Sequence, residues 1–122
     1  HDTIAEAVAH HNEQFAGEDT GKTIGILGLS FKPASDDVRD TPAARVMKQL
    51  FADGYQHLVA YDPLAIEPFQ RAYHLPATYV ASYDEAIKQS DALVILTAWD
   101  EFRDVRKRTA KPVMDGRYML ED

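Results

Sequence analysis

The stretch TIGILGLSFKPASDDVRDTP, Thr23 to Pro42, changes character halfway along. Its first seven residues are an apolar run bounded by polar turns. Such a run is too short for a buried helix and suits a strand covered on both faces. The second part carries Lys32, Asp36, Asp37 and Arg39 where a phosphate-cradling turn would be rich in glycine. Thr41 and Pro42 then read as the N-cap and first position of a helix, because a hydroxyl satisfies an orphan amide and proline has none to lose.

Outward from this stretch the same alternation continues. Ala43, Val46, Met47, Leu50 and Phe51 form one apolar stripe, and Gly54 stands at the C′ position. HLVAYDP is a second strand stopped by Pro63, Ile66 to Tyr73 a weaker helix, and Ala77 to Val80 a short edge strand. Ser82 with Glu85 three residues later fits a capping box, so a helix begins there and ends before the strand ALVILT. DEFRDVRKR reads as a short amphipathic helix with Phe102 and Val105 as its apolar pair, and PVMDGR as a fifth strand with a turn. Strands alternating with helices predict an α/β fold: a three-layer α/β/α, Rossmann-like domain around a parallel sheet of about five strands.

Ahead of this domain, Ile4, Val8, His11 and Phe15 recur at helical spacing and GEDTG makes a polar break. Residues 1–20 are therefore expected to be a helix and linker, and residues 21–122 one domain. With 122 residues and 45% hydrophobic side chains, a single core is the natural outcome. Twenty acidic against thirteen basic residues give a net charge of −7, which disfavours a nucleic-acid surface. No cysteine is present, which removes disulfides, thiolate metal sites and a cysteine nucleophile from these residues. No apolar run approaches the roughly 18 residues of a membrane span, and a cytoplasmic protein is expected.

In an open parallel sheet, ligands bind beyond the carboxyl ends of the strands, near the point where strand order reverses. Lys32, Asp36, Asp37 and Arg39 follow the first strand; Asp62 follows the second, Thr97, Trp99 and Asp100 the fourth, and Asp115 and Arg117 the fifth. Doubly wound order would make strands one, four and five neighbours and bring Lys32 and Arg117 to one crevice. A self-sufficient dinucleotide site is disfavoured: Gly25 and Gly28 give only G-x-x-G, although Asp62 stands where a ribose-binding acid belongs. A phospho-receiver domain is disfavoured because Asp36 and Asp37 lie well beyond the strand end and the Lys111–Pro112 pair precedes its strand. His1, His10 and His11 lack a metal-ligand pattern, and Trp99 reads first as a packing residue. Taken as residues alone, Lys32, Arg39 and Arg117 fit solvated loop charges and a cationic ligand site equally well.

GILGLSFKPASDDVRDTP, followed in order by YDP, DALVILTAWDEF and DGR, resembles the C-terminal UDP-binding domain of the UDP-glucose/GDP-mannose dehydrogenases over Lys22 to Arg117. The resemblance implies a parent oxidoreductase that uses NAD to convert the C6 hydroxyl of a nucleotide sugar to a carboxylate. It would have an N-terminal Rossmann domain, a central helical dimerisation domain and a homodimeric or higher assembly. The catalytic cysteine and NAD fingerprint would lie in those other domains, so no catalytic residue is expected among these 122. Carried over by position, Phe31, Lys32 and Arg117 are implied contacts of the UDP-sugar, and Arg39 an implied contact of NAD across the interdomain cleft. The other reading is a free-standing nucleotide-binding or regulatory module.

Overall fold

The computed structural model describes residues 21–117 and 119–120; the helix and linker expected over residues 1–20, with His1, His10 and His11, lie outside them. Five strands, β1 (Thr23–Leu27), β2 (His57–Tyr61), β3 (Thr78–Tyr79), β4 (Ala92–Ile95) and β5 (Val113–Asp115), form one sheet in the order β3-β2-β1-β4-β5. Every pairing is parallel. The crossovers are α1 (Pro42–Ala52), α2 (Ile66–Tyr73), α3 (Tyr83–Gln89), and a 3-10 turn (Asp100–Asp104) running into α4 (Val105–Arg108).

Alternation along the strands sorts side chains into two cores. Ile24, Ile26, Leu58, Ala60, Ala92 and Val94 face one way and meet Val46, Met47 and Leu50 of α1 and Phe69 of α2. Leu27, Val59, Tyr61, Leu93 and Ile95 face the other way, against Tyr83, Ala86 and Ile87 of α3, with Phe102 and Val105. The three-layer sandwich thus follows from central strands that are apolar on both faces. Chain order first grows leftward from β1 through β2 to β3, then returns to place β4 on the far side of β1. The reversal lies between β1 and β4.

The helix ends match local chemistry. The Thr41 hydroxyl accepts from the Ala43 amide at 3.4 Å. At the other end of α1, Gly54 (φ 102°) donates to Phe51 and Tyr55 donates to Leu50, the paired bonds of a Schellman ending. Ser82 caps α3 by accepting from the Glu85 amide at 3.1 Å, whereas Glu85 itself accepts from Gln89, so only the serine half of the capping box is seen.

Two elements differ from expectation. The edge strand is reduced to Thr78–Tyr79. The helix over DEFRDVRKR opens as a 3-10 turn, because Phe102 and Val105, both fully buried, are three apart and a 3-10 repeat puts residues i and i+3 on one face.

Candidate functional site at the carboxyl edge of the sheet

The crevice between β1 and β4 is where a doubly wound domain would hold its ligand. Here protein groups fill it. Gly28, at φ 103°, ends β1, and a Cβ placed on it would stand 2.5 Å from the backbone nitrogen of Thr97. Only glycine permits that approach. Thr97 is 1% exposed and donates its hydroxyl to the Ser30 carbonyl at 2.7 Å.

Of the five buried polar side chains among the described residues, four converge on Leu29 and Ser30: Ser30 itself, Thr41, Asp62 and Thr97. Asp62 Oδ2 accepts from the Leu29 amide at 2.8 Å and the Ser30 amide at 3.0 Å. Thr41 Oγ1 donates to the Leu29 carbonyl at 2.8 Å. With the Thr97 bond, both amides and both carbonyls of Leu29 and Ser30 are held by side chains from three other segments. Buried backbone groups must be paired, and here side chains replace the ladder that ends with β1.

Asp62 has no oxygen to spare for a ribose. Its Oδ1 accepts from the Leu64 and Ala65 amides, both at 2.8 Å, and its Oδ2 takes a third donor, the Trp99 indole, at 3.2 Å. The acid at the end of β2 is a structural knot between three loops. An Asp-Pro turn signal is present in the sequence, but nothing local marks the partners in the loops after β1 and β4. Trp99 is a packing and hydrogen-bonding residue of this knot.

Beyond the knot the loop turns outward. Ser30 Oγ donates to the Lys32 carbonyl at 2.9 Å, and the Phe31 amide donates to the Asp37 carbonyl at 2.7 Å. The side chains of Phe31 and Lys32 are left exposed, Phe31 at 49%. Val38 is buried, and its carbonyl accepts from the Tyr73 hydroxyl at 2.6 Å, which fastens the far limb of the loop to α2. Ala34 and Asp40 are in the left-handed region, at φ 61° and 56°. Backbone in that region is costly for residues with a Cβ and collects where structure serves a ligand.

Arg39 lies on the same loop, bound to Asp37. Its Nε donates to Asp37 Oδ1 at 3.0 Å and its Nη2 to Oδ2 at 2.9 Å. The guanidinium holds the Asp37 carboxyl at about 2, below its ordinary 3.8. Arg117 follows β5, on a turn shaped by Asp115, which accepts from the Arg117 and Leu120 amides at 3.1 and 2.6 Å. β5 pairs with β4 and β4 with β1, so the expected neighbourhood of strands one, four and five is present. Lys32 and Arg117 follow β1 and β5 at the same edge of the sheet, with β4 between those strands. Arg39 is farther along its loop, beyond the Asp37 anchor.

Among the described residues no group of three or more His, Cys, Asp or Glu side chains could hold a metal ion. A cavity of about 190 Å³ lies at the opposite end of the sheet, lined by the first residues of β1, β2 and β3, namely Thr23, His57 and Thr78, with Gln56 and Gln89 beside them. It is remote from the carboxyl edge. No helix of the described residues is long and apolar enough to cross a membrane.

Fold and site together define a Rossmann-like α/β domain whose polar edge is built on a side-chain clamp rather than a glycine cradle. Residues 25–122 match the UDP binding domain of the UDP-glucose/GDP-mannose dehydrogenase family, and the chain belongs to that family. It is 40% identical over 111 residues to the UDP-glucose 6-dehydrogenase YwqF of Bacillus subtilis, covering 84% of this chain and 25% of that protein. A UDP-glucose 6-dehydrogenase of Rhizobium meliloti is 42% identical over 89 residues, 71% of this chain and 20% of its own length. The UDP-glucose dehydrogenase of Pyrobaculum islandicum superposes with a TM-score of 0.83 at 29% identity, over 98% of this chain and 28% of that one. The chain thus spans about a quarter of the length of the curated relatives it matches.

Proposed function

We propose that this chain supplies the nucleotide-sugar half-site of an NAD-dependent UDP-sugar 6-dehydrogenase, with residues 21–122 as the C-terminal UDP-sugar-binding domain. Membership of the family supports the class of parent enzyme. The observation that carries the reading is the clamp on Leu29 and Ser30, which fixes the backbone immediately ahead of Phe31 and Lys32 at the same sheet edge from which β5, two strands away, leads to Arg117.

In this reading the Lys32 ammonium is a compact charge for a phosphate oxygen, Arg117 offers a planar fork to the same diphosphate, and Phe31 presents an exposed ring beside them. The net charge of −7 makes local concentration of cations a condition for binding any diphosphate. The residues do not fit a dinucleotide site of their own: no glycine lies between Ser30 and Pro42, Thr97 closes the β1–β4 crevice, and Asp62 is fully engaged. NAD would be held by other domains of the parent, with Arg39 reaching it across the cleft. The cysteine that forms the thioester in conversion of the C6 hydroxyl to a carboxylate would also come from outside these residues. The N-terminal and central domains, and a second copy of the parent, are the partners this reading calls for, in the cytoplasm.

The test is titration of the 122-residue chain with UDP, followed by amide chemical shifts. An open half-site with two solvent-screened contacts should bind at about millimolar Kd or weaker, near −4 kcal/mol, and more weakly as salt rises. Lys32, Arg117 and neighbours of Thr97 should shift together. Shifts confined to the opposite end of the sheet, around Thr23 and His57, would refute the reading.

A further inference from the structure

We infer that Asp62 is a positioning residue for nucleotide-sugar binding, acting through the amides of Leu29 and Ser30 to set the Phe31–Lys32 segment. It rests on the reading of Lys32 as a diphosphate contact. Asp62 is 2% exposed, and its two oxygens accept five hydrogen bonds from the loops after β1, β2 and β4. Two of the five come from the residues immediately ahead of Phe31. Ser30 in turn fixes the next link, since its hydroxyl donates to the Lys32 carbonyl. The path from the buried carboxylate to the Lys32 backbone is therefore two hydrogen bonds and one residue long.

A carboxylate is the group this place requires. An asparagine of the same shape has one acceptor oxygen and one donor NH2. Turned either way, its NH2 would face at least two amide donors: Leu64 and Ala65 on one side, or Leu29, Ser30 and the Trp99 indole on the other. The loop bearing Lys32 then loses its fixed origin, and binding must order it again.

The experiment measures UDP affinity, thermal midpoint and backbone order parameters for the 122-residue chain carrying Asp62→Asn, with Lys32→Ala as control. The expected result is a lowered midpoint, reduced order at Phe31 and Lys32, and UDP binding by the folded protein weakened about three- to tenfold, the range for re-immobilising one flexible side chain and its loop. The salt dependence should persist, because the Lys32 charge is still present. Lys32→Ala should instead flatten the salt dependence while leaving the order of Leu29 and Ser30 intact. Should Asp62→Asn fail to fold, Thr97→Val frees the Ser30 carbonyl from the opposite side and is expected to give the same loss of order and affinity. A lowered midpoint with unchanged affinity and order in the folded fraction overturns the positioning role. Unchanged affinity in Lys32→Ala overturns the underlying assignment of Lys32.

Discussion

Arg39 folds back on Asp37, two residues before it, with both carboxylate oxygens engaged at 3.0 and 2.9 Å while its own side chain remains 90% exposed. The pair stiffens the loop without burying the cation. One edge of the guanidinium, Nη1, is left out of the fork and can be approached from solvent. The Arg39 charge is thus held in place by its own loop.

That geometry is checked by titration. The Asp37 carboxyl is depressed by its hydrogen bonds to Arg39, to about 2 from an ordinary 3.8. A depressed carboxylate contributes fully above its unfolded value and loses its contribution as pH falls through the folded one. The pair is therefore intact above about pH 4 and released near pH 2. Carboxyl-carbon NMR should show the Asp37 midpoint near 2, returning toward 3.8 in Arg39→Ala. A midpoint that does not move in that variant would rule out the fork in solution.

In the full-length parent enzyme, Arg39→Ala should raise KM for NAD more than KM for the nucleotide sugar, and Lys32→Ala should do the reverse. Each loss is expected at about ten- to hundredfold, the equivalent of ~1.5–3 kcal/mol for one charge-assisted contact. Steady-state kinetics with each substrate varied in turn decides it. Equal effects on both substrates would mean that the loop only orders the closed cleft.

Gly28→Ala should destabilise the chain by more than ~2 kcal/mol, since it combines an unfavourable φ of 103° with a Cβ driven into Thr97. Thr97→Ser should not rescue it, because the Thr97 backbone nitrogen, as well as its Cβ, stands 2.5 Å from the added atom. Urea unfolding of the single and double variants measures this. A loss below 1 kcal/mol would show that β1 and β4 can separate at the switch point, contrary to the close approach seen here.

Ala34→Gly should have the opposite sign. Ala34 is exposed and sits at φ 61°, so removing its Cβ relieves left-handed strain at the cost of some unfolded-state entropy. A net gain of up to ~1 kcal/mol is expected by the same unfolding assay. Destabilisation would indicate that the Ala34 methyl makes a contact in solution that outweighs the strain.

Much of the architecture was legible from local pattern. The apolar run at Thr23, the stripe from Ala43 to Phe51 closed by Gly54, the Thr41–Pro42 start and the Ser82 cap each depend on neighbours within a few residues, and all are present. Where pattern misled, as at DEFRDVRKR, the spacing of Phe102 and Val105 suited either helical period, and burial of both chose the tighter one. By itself the sequence therefore determined the succession of strands and helices, the layers, and the absence of a thiol and of a glycine cradle. It also determined which cations follow which strand. Only the tertiary structure decided what Asp62 and Thr97 do, because their partners lie 33 and 67 residues away. The Asp62 bonds exist only once β2 has crossed over to lie beside β1, and the Thr97 bond only once strand order has reversed to set β4 on the other side of β1, which together desolvate four polar side chains. A buried polar group must find a partner wherever the fold brings one, so its role is set by strand order rather than by its neighbours in the chain.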